Sequence, residues 1–309
     1  MSHSEIEKLN QQFSLNTKQC QLQFVKGEGR IPVVEIKNSQ ASARISLQGA
    51  HLLSWVPEGE TDVIWLSPDA RFEIGKSVRG GIPICWPWFG AHEGSHGGNE
   101  NFPAHGFART VFWDVSDTCQ LQSGETRIHF KLEMKQADEF VKTMWLVNTS
   151  VEYIVTIGSV LTLELITRNN GTENIEIGEA LHTYFNVQDI TKTTVTGLHE
   201  KEYLDKPDNF KRKKQNADIK ISDEVDRVYV NTPDEVTINN QQRKITISKQ
   251  GSQSTIVWNP GKQVAEKMGD LGEAGYLKML CVESGNAAEN VVSVAGGESH
   301  SLQVVYRLV

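Results

Sequence analysis

The sequence predicts an all-β protein, built as a large antiparallel β-sandwich with a few short helices. Most periodic segments alternate apolar and polar residues with a period of two, which is typical of strands that bury one face. Turns rather than helices separate these segments, and parallel strands would need long, usually helical, crossovers. Helix signals are few, at Gln136–Met144 and Lys262–Met268. No fixed repeat or linker-like stretch divides the chain, so we expect one domain over residues 1–309.

The strand candidates are short and run along the whole chain. Thr126–Met134 shows the alternation most clearly, because Ile128, Phe130 and Leu132 fall on one face. The other candidates are Gln21–Lys26, Val33–Lys37, Ala43–Gln48, Leu52–Val56, Val63–Leu66, Val236–Asn239, Lys244–Lys249, Thr255–Trp258, Lys278–Val282, Val291–Val294 and Ser301–Arg307.

A hairpin is predicted near the middle of the chain. Leu161–Arg168 alternates regularly and runs into Asn170-Gly171, a strong signal for a two-residue turn. We therefore expect the segment that begins with Ile175 and Ile177 to return beside it. The polar stretch Lys201–Asp223, which includes a KRKKQ run, is predicted to be a solvated excursion from the sandwich.

Composition and charge exclude several classes of function. The formal net charge of −8 argues against a general binder of nucleic acids or anionic membranes. The polar N-terminal segment does not resemble a secretory signal, and no apolar run is long enough to span a membrane. The four cysteines form no CxxC pair, which fits reduced thiols in a cytoplasmic protein.

The segment Lys76–Arg109 holds the strongest signal for ligand binding. Its glycines and prolines exclude a helix, and its tryptophans and phenylalanines exclude a disordered linker. Arg79 and Arg109 bracket it, and His105 lies just before the second arginine. Aromatic faces, a histidine and fixed cations suit a sugar that carries an anion, since guanidinium groups bind phosphate oxygens in pairs. A packed structural crossing without a ligand remains the alternative.

Three further residues could take part in chemistry. His182 lies among apolar and aromatic residues and could act as a general acid, or equally be a core histidine bonded to backbone. Glu283 ends an apolar run, so burial could raise its pKa into the range of a general base, or it could simply reach solvent at the end of a strand. Asp226 could bind a sugar hydroxyl or merely begin a strand.

Metal, nucleotide and serine chemistry are disfavoured. His92, His96 and His105 lie on a glycine-rich loop whose spacing matches no metal-ligand pattern, so we expect no metal site. No P-loop, GxGxxG or GxSxG motif is present in the sequence.

Six segments, taken together, resemble the hexose-6-phosphate mutarotases, also called glucose-6-phosphate 1-epimerases, of the aldose 1-epimerase superfamily. They are GKSVRGGIPICWPWFG, PAHGFAR, GEALHTYFNV, DRVY, VWNPG and MLCVESGN, and they span Gly75–Asn286 in the family's order. The RGGIPICWPWFG and HGFAR segments are specific to the phosphosugar branch. The last segment ends in small polar residues where relatives vary, but its CVE core is intact.

The resemblance implies a galactose mutarotase-like β-sandwich and a role for each candidate residue. His182 would be the general acid and Glu283 the general base of a ring-opening reaction. His105 would contact the sugar near its ring oxygen, and Asp226 would bind a hydroxyl. The two arginines, Arg79 and Arg109, would hold the 6-phosphate.

The implied reaction needs proton transfers alone, so no cofactor is expected. The expected partner is a small molecule, a hexose 6-phosphate, and the protein is expected to be a cytoplasmic monomer with no nucleic-acid or membrane partner. A non-catalytic sugar-phosphate sensor on the same sandwich is the alternative, since fold does not fix function. A carbohydrate hydrolase or lyase on a related β-fold is disfavoured, because hydrolases usually need two flanking carboxylates and no such pair stands out.

Overall fold

Strands dominate the structure, a computed structural model that describes residues 2–92, 99, 101–134, 137 and 139–309. The helices are α1 (His3–Phe13), α2 (Glu139–Met144) and α3 (Gly261–Ala265). The strands are β1 (Leu15–Asn16), β2 (Cys20–Lys26), β3 (Pro32–Asn38), β4 (Ala41–Ser46), β5 (His51–Pro57), β6 (Ile84–Cys85), β7 (Asp114–Gln120), β8 (Thr126–Glu133), β9 (Thr149–Ile157), β10 (Leu161–Asn169), β11 (Ile175–Ile177), β12 (Glu179–Leu181), β13 (Tyr184–Asn186), β14 (Thr194–Thr196), β15 (Glu202–Asp205), β16 (Lys211–Lys214), β17 (Ile219–Lys220), β18 (Val225–Val230), β19 (Val236–Asn239), β20 (Lys244–Gln250), β21 (Ser254–Asn259), β22 (Met279–Asn286), β23 (Val292–Val294) and β24 (Ser299–Leu308).

These strands form three large sheets and one small one, and their ladders are antiparallel. A five-stranded sheet has the order β1-β2-β3-β4-β5, and a nine-stranded sheet the order β17-β14-β19-β20-β24-β10-β9-β8-β7. The eight-stranded sheet runs β16-β15-β18-β21-β22-β12-β6, with β13 also paired to β22, and β11 pairs with β23. This architecture confirms the predicted all-β, antiparallel class. Within the described part of the chain, no helix is long and apolar enough to cross a membrane.

One hydrophobic cluster joins the three large sheets. It includes Phe24 of β2, Leu163 of β10 and Val282 of β22, each at most 2 % exposed. On β10 the buried residues alternate with partly exposed ones over most of the strand, as the sequence pattern predicts. The prediction that residues 1–309 form one domain stays a prediction, although this shared core is consistent with it.

The predicted hairpin at Asn170-Gly171 is wrong. The chain turns there, but Ile175–Ile177 pairs with β23 rather than with β10. The reason is that both edges of β10 are already occupied, one by β9 and the other by β24. A strand that follows the turn therefore has no free edge to pair with and leaves the sheet.

Other differences from the predicted elements lie mostly in short or polar segments. The prediction lacks α1, although a capping box between Ser2 and Glu5 marks its start. It also lacks β7 and β9, and the Val63–Leu66 candidate forms isolated bridges rather than a strand. The two predicted helices are confirmed in shorter form as α2 and α3, and residues 136 and 138 of the first lie outside the described residues.

The polar stretch Lys201–Asp223 forms strands but keeps its charges in solvent. Its β15 and β16 pair at the edge of the eight-stranded sheet. Every basic residue of β16 pairs with a carboxylate, namely Lys211 with Asp208, Arg212 with Glu202 and Glu289, Lys213 with Asp205 and Asp208, and Lys214 with Glu200. Charged edge strands of this kind discourage edge-to-edge pairing with other chains.

A buried polar cluster joins the eight-stranded sheet to the nine-stranded sheet. The Oε1 atom of Glu179 on β12 lies 2.8 Å from Nε2 of His300 on β24 and accepts a 2.9 Å hydrogen bond from Nδ2 of Asn286 on β22. Burial alone would lower the pKa of His300, but the hydrogen bond and charge of Glu179 outweigh it, so this pKa is raised. In its protonated form the imidazole compensates the charge of the fully buried Glu179 side chain.

We predict that His300→Gln destabilises the protein more at pH 6 than at pH 9. Because the pKa of His300 is raised in the folded state, its contribution is complete below the unfolded pKa of about 6.5 and is lost as pH rises through the folded pKa. Urea unfolding should show a loss of about 1–2 kcal/mol at pH 6 that shrinks at pH 9. His199→Gln, which alters an exposed pair with Glu200, is the control. A loss that is equal at both pH values would contradict this account.

Candidate active site

Strand pairing brings His182 and Glu283 together. Both β12 and β13 pair with β22, with Leu181 opposite Ser284 and Tyr184 opposite Cys281. This register places His182, which lies between the two short strands, opposite Glu283. Nε2 of the histidine lies 3.4 Å from Oε1 of the glutamate. Two titratable side chains far apart in sequence thus meet because of the sheet's register.

His182 is held in place from two sides. Its N–H donates to the carbonyl of Pro83 at 3.0 Å, instead of to β22. The hydroxyl of the next residue, Thr183, lies 2.5 Å from that of Tyr306 on β24. The His182 ring also stacks on Tyr184, with centroids 4.9 Å apart and planes at 12°. The imidazole therefore has a fixed position.

Each member of the pair has one polar atom left for a ligand. The side chain of His182 is 11 % exposed and that of Glu283 is 1 % exposed. Within the described residues, Nδ1 of the histidine and Oε2 of the glutamate are buried and make no hydrogen bond. Buried polar atoms without a partner are costly, and they are found where a site is built to bind something.

Burial shifts the pKa values of this pair in opposite directions. It lowers the pKa of His182, and the charges of Arg109 and Arg79 lower it further. It raises the pKa of Glu283, and the carboxylate of Asp226 adds to the increase. Both shifts favour a pair that holds one proton, since the ion pair and the neutral acid beside a neutral imidazole each contain one.

His105 faces the pair from the glycine- and proline-rich segment. Its ring centroid is 5.7 Å from that of His182. Its backbone is left-handed, with φ of 65°, and its N–H donates to the carbonyl of Gly90 at 2.7 Å. Gly106 follows with φ of 68°, where a Cβ would lie 1.9 Å from the carbonyl oxygen of Trp86, so that position requires glycine. The unusual backbone of His105 is thus fixed by its surroundings.

The protonation state of His105 follows from the same contacts. Its Nδ1 accepts a long 3.4 Å hydrogen bond from the N–H of Gly90, which leaves the proton on Nε2. Burial, together with the charges of Arg109, Lys206 and Arg79, lowers the pKa of His105 to about 3. The ring is therefore neutral at physiological pH and offers one N–H donor.

The two predicted arginines have different surroundings. Arg79 donates from Nε to Asp270 at 3.2 Å and from Nη1 to the hydroxyl of Tyr184 at 3.0 Å. Arg109 donates from Nη2 to the carbonyl of Ala104 at 2.7 Å. It makes no ion pair with any residue that the structure describes, so its charge is the less compensated of the two.

Asp226 belongs to a row of side chains that crosses the eight-stranded sheet. It lies opposite Trp258, which lies opposite Cys281, which in turn lies opposite Tyr184. Paired residues point to the same face, so this face holds a carboxylate, an indole and a phenol side by side. The Trp258 ring is 6.0 Å from the ring of His182. The row therefore forms one wall of the site.

The comparisons with known proteins agree with this arrangement. Residues 32–307 match the sequence profile of the family described as aldose 1-epimerase. The chain belongs to the aldose 1-epimerase family. Two relatives are each named as a candidate glucose-6-phosphate 1-epimerase. The one from Escherichia coli K12 is 36 % identical over 84 % of each chain, and the one from Cenchrus ciliaris is 35 % identical over 83 % of this chain and 78 % of its own.

Solved structures of this family share the fold. A crystal structure of a candidate mutarotase, YeaD from Salmonella typhimurium, superimposes with a TM-score of 0.84 at 28 % identity and covers 99 % of both chains. A galactose mutarotase-like protein from Lactobacillus casei gives a TM-score of 0.69 over 90 % of this chain and all of its own, at 15 % identity. The second likeness concerns the fold alone.

The structure adds four residues to the six candidate site residues that the sequence predicts. Tyr184 and Trp258 lie in quoted motifs, but nothing in their local pattern distinguishes them from core aromatics. Asp270 and Lys206 contact Arg79 and Asp226 respectively, and both lie in segments without a motif. Contacts between distant segments define these four, so a single sequence has no local signal for them.

Of the three histidines of the glycine-rich loop, the structure describes His92 and His105, and these two lie in different surroundings. His105 lies at the site, His92 packs between Trp88 and Phe102, and His96 lies outside the described residues. Among the described residues no group of three His, Cys, Asp or Glu side chains could hold a metal ion.

We predict that His105 stays neutral from pH 8 down to pH 5. Its folded pKa of about 3 lies below this range, because burial and three nearby cations oppose protonation. Nitrogen-15 NMR of the imidazoles, assigned with His105→Gln, should show a neutral ring with the proton on Nε2 throughout. The urea-unfolded chain is the control, since its histidines should titrate near about 6.5. A His105 ring that became charged at pH 5.5 would show that the site is wetter than described.

Proposed function

We propose that this protein is a glucose-6-phosphate 1-epimerase, which interconverts the α and β anomers of hexose 6-phosphates. The observation that supports this most is the buried contact of 3.4 Å between His182 and Glu283, surrounded by cationic residues. Family membership and the names of the relatives support the same activity.

In the proposed reaction, Glu283 removes the proton from the anomeric hydroxyl while His182 protonates the ring oxygen. The bond between C1 and O5 breaks, and C1 becomes the carbon of an open-chain aldehyde. Rotation about the C1–C2 bond exposes the other face of that carbonyl. The O5 hydroxyl then attacks this face and gives its proton back to His182. The anomeric oxygen takes back a proton from the protonated Glu283. No electrons are transferred to or from the sugar, so we propose that no cofactor is needed.

The electrostatics of the site suit this exchange of one proton. The reactive form needs an ionised Glu283 and a protonated His182, whereas burial favours their neutral forms. The two forms differ by the position of one proton over a short distance. The raised pKa of Glu283 makes its ionised form a stronger base, and the lowered pKa of His182 makes its protonated form a stronger acid. Both changes favour proton transfer to and from the sugar.

The neighbouring residues position the sugar in this proposal. Neutral His105 donates its Nε2–H to a sugar oxygen near the ring. The carboxylate of Asp226 accepts from a hydroxyl, and the indole of Trp258 covers an apolar face of the pyranose. All three lie on rigid strands or in tight turns around the catalytic pair, so their positions do not depend on mobile side chains.

Phosphate binding falls to Arg109 and Arg79. A phosphate ester has a charge of about −1.5 to −2 at neutral pH, which an acidic protein would repel without local cations. Arg109 lacks a carboxylate partner within the described part of the chain, so its charge is available to the ester. Arg79 is already hydrogen-bonded to Asp270 and Tyr184. We propose that its positive charge attracts the phosphate ester and helps to orient it, in addition to donating hydrogen bonds.

The paired acid and base favour an enzyme over a sugar-phosphate sensor. A sensor needs cations for the phosphate but no buried proton donor beside a buried proton acceptor. The expected ligand class, a phosphorylated sugar, and the net charge of −8 also argue against nucleic acid or an anionic membrane as partner. We retain a cytoplasmic monomer as the expected state.

We predict that Glu283→Gln lowers kcat for anomerisation of glucose 6-phosphate by about 10²-fold or more. The amide keeps the shape of the carboxylate but accepts no proton at neutral pH. His182→Asn should have a comparable effect for the acid step. Exchange between anomers is measured by NMR, and binding of glucose 6-phosphate by calorimetry should change little. If either variant kept wild-type exchange, the assigned acid or base would be wrong.

We predict that Arg109→Ala reduces kcat/KM for glucose 6-phosphate by about 30- to 150-fold, which corresponds to about 2–3 kcal/mol for a charge-assisted contact. Residual activity on free glucose should change little, because glucose presents no dianion. Arg44→Ala, which removes an arginine at a partly exposed pair with Glu35, serves as the control. Equal losses on both sugars would contradict the phosphate role.

A further inference from the structure

We infer that Lys206 is a third cation of the phosphate site and a determinant of specificity for phosphorylated over free sugars. The inference rests on the proposed function and extends it to a residue outside the recognised motifs. The sequence places Lys206 in the polar stretch that was predicted to be a solvated excursion, so its position at the site follows from the structure.

The register of the eight-stranded sheet places Lys206 at the edge of the site. Pairing between β15 and β18 ends with Asp205 opposite Arg227. Lys206 directly follows Asp205 in the chain, so it comes opposite Asp226. It belongs to the short 3-10 helix Lys206–Asp208 and not to β15 itself. The row that crosses the sheet thus continues outward from Tyr184 and Trp258 through Asp226 to this lysine.

Contact with Asp226 anchors the lysine and leaves its ammonium group accessible. Nζ of Lys206 lies 2.8 Å from Oδ2 of Asp226. The aspartate side chain is 13 % exposed, whereas the lysine side chain is 53 % exposed. An ammonium group has three donors, so one can hold the carboxylate while the others face a ligand. The pair is therefore oriented for binding without having to break.

The charge of Lys206 affects the pKa values of two side chains in the site. It lowers the pKa of His105 together with Arg109 and Arg79, and it opposes the rise in the pKa of Glu283. Three cations from separate segments thus act electrostatically on one neutral histidine. A dianionic ester next to that histidine would face all three, which is the arrangement expected for a phosphate rather than for a neutral sugar.

The neighbouring lysines of the same segment differ from Lys206. Lys211 pairs with Asp208, and Lys213 pairs with Asp205 and Asp208, on the outer edge of the sheet. Lys206 alone among these three contacts a residue of the row beside the catalytic pair. Lys211, whose side chain is 66 % exposed, therefore provides a matched control for the removal of one positive charge.

The test compares Lys206→Met with Lys211→Met on two sugars. Methionine keeps an unbranched stem and removes the charge. We expect Lys206→Met to lower kcat/KM for glucose 6-phosphate by about 10- to 100-fold more than kcat/KM for free glucose, mainly through KM. Inhibition by inorganic phosphate should weaken by a similar factor. Lys211→Met should match the wild type, and Lys206→Arg should retain most of the phosphate preference because it keeps the charge.

Equal losses on both sugars would overturn the inference, because they would show that Lys206 acts through Glu283 or Asp226. A Lys206→Met variant with wild-type kinetics on glucose 6-phosphate would overturn it as well. If the wild type itself did not speed anomerisation of glucose 6-phosphate, the proposed function would fail. Calorimetry with inorganic phosphate would then still decide the role of Lys206, since weaker binding by the methionine variant supports it and equal binding contradicts it.

Discussion

The site depends on the pairing of β22 with both β12 and β13. That pairing fixes His182 opposite Glu283, and the hydrogen bond from the N–H of His182 to the carbonyl of Pro83 holds the backbone between the two short strands. Both side chains are nearly free of solvent contact, so their pKa values respond to each other and to a few nearby charges. A shift of one residue in this register would place the two side chains on opposite faces of the sheet and separate the pair.

Charge compensation around this pair explains how an acidic chain can hold an anionic ligand. Arg79 and Lys206 each contact an aspartate, Asp270 and Asp226 respectively. These pairs limit repulsion between cations when no ligand is bound. Arg109 makes no ion pair with any described residue and is thus the least compensated of these three cations, so a phosphate ester would gain most there. The fold thus concentrates positive charge locally against a net charge of −8.

The sequence was sufficient for the fold class and indicated His182 and Glu283 as candidates, but it did not reveal interactions between distant segments. Period-two patterns predict strands because each strand buries one face, and β10 follows its pattern closely. The hairpin predicted at Asn170-Gly171 was wrong because other strands occupy both edges of β10. Local sequence does not reveal which edges of a strand are occupied. Lys206 was missed for a similar reason, since its partner Asp226 lies on another strand. The motifs gave His182 and Glu283 through their resemblance to a family, whereas their distance came from the structure.

The central claim is that His182 and Glu283 act as one proton-exchanging unit, and a double-mutant cycle tests it most directly. NMR exchange rates for glucose 6-phosphate would be compared among the wild type, His182→Asn, Glu283→Gln and the double variant. If the two residues serve one coupled step, the double variant should lose little more than either single variant. If the two losses instead multiplied, the residues would act independently, and the one-proton pair would not be the basis of catalysis.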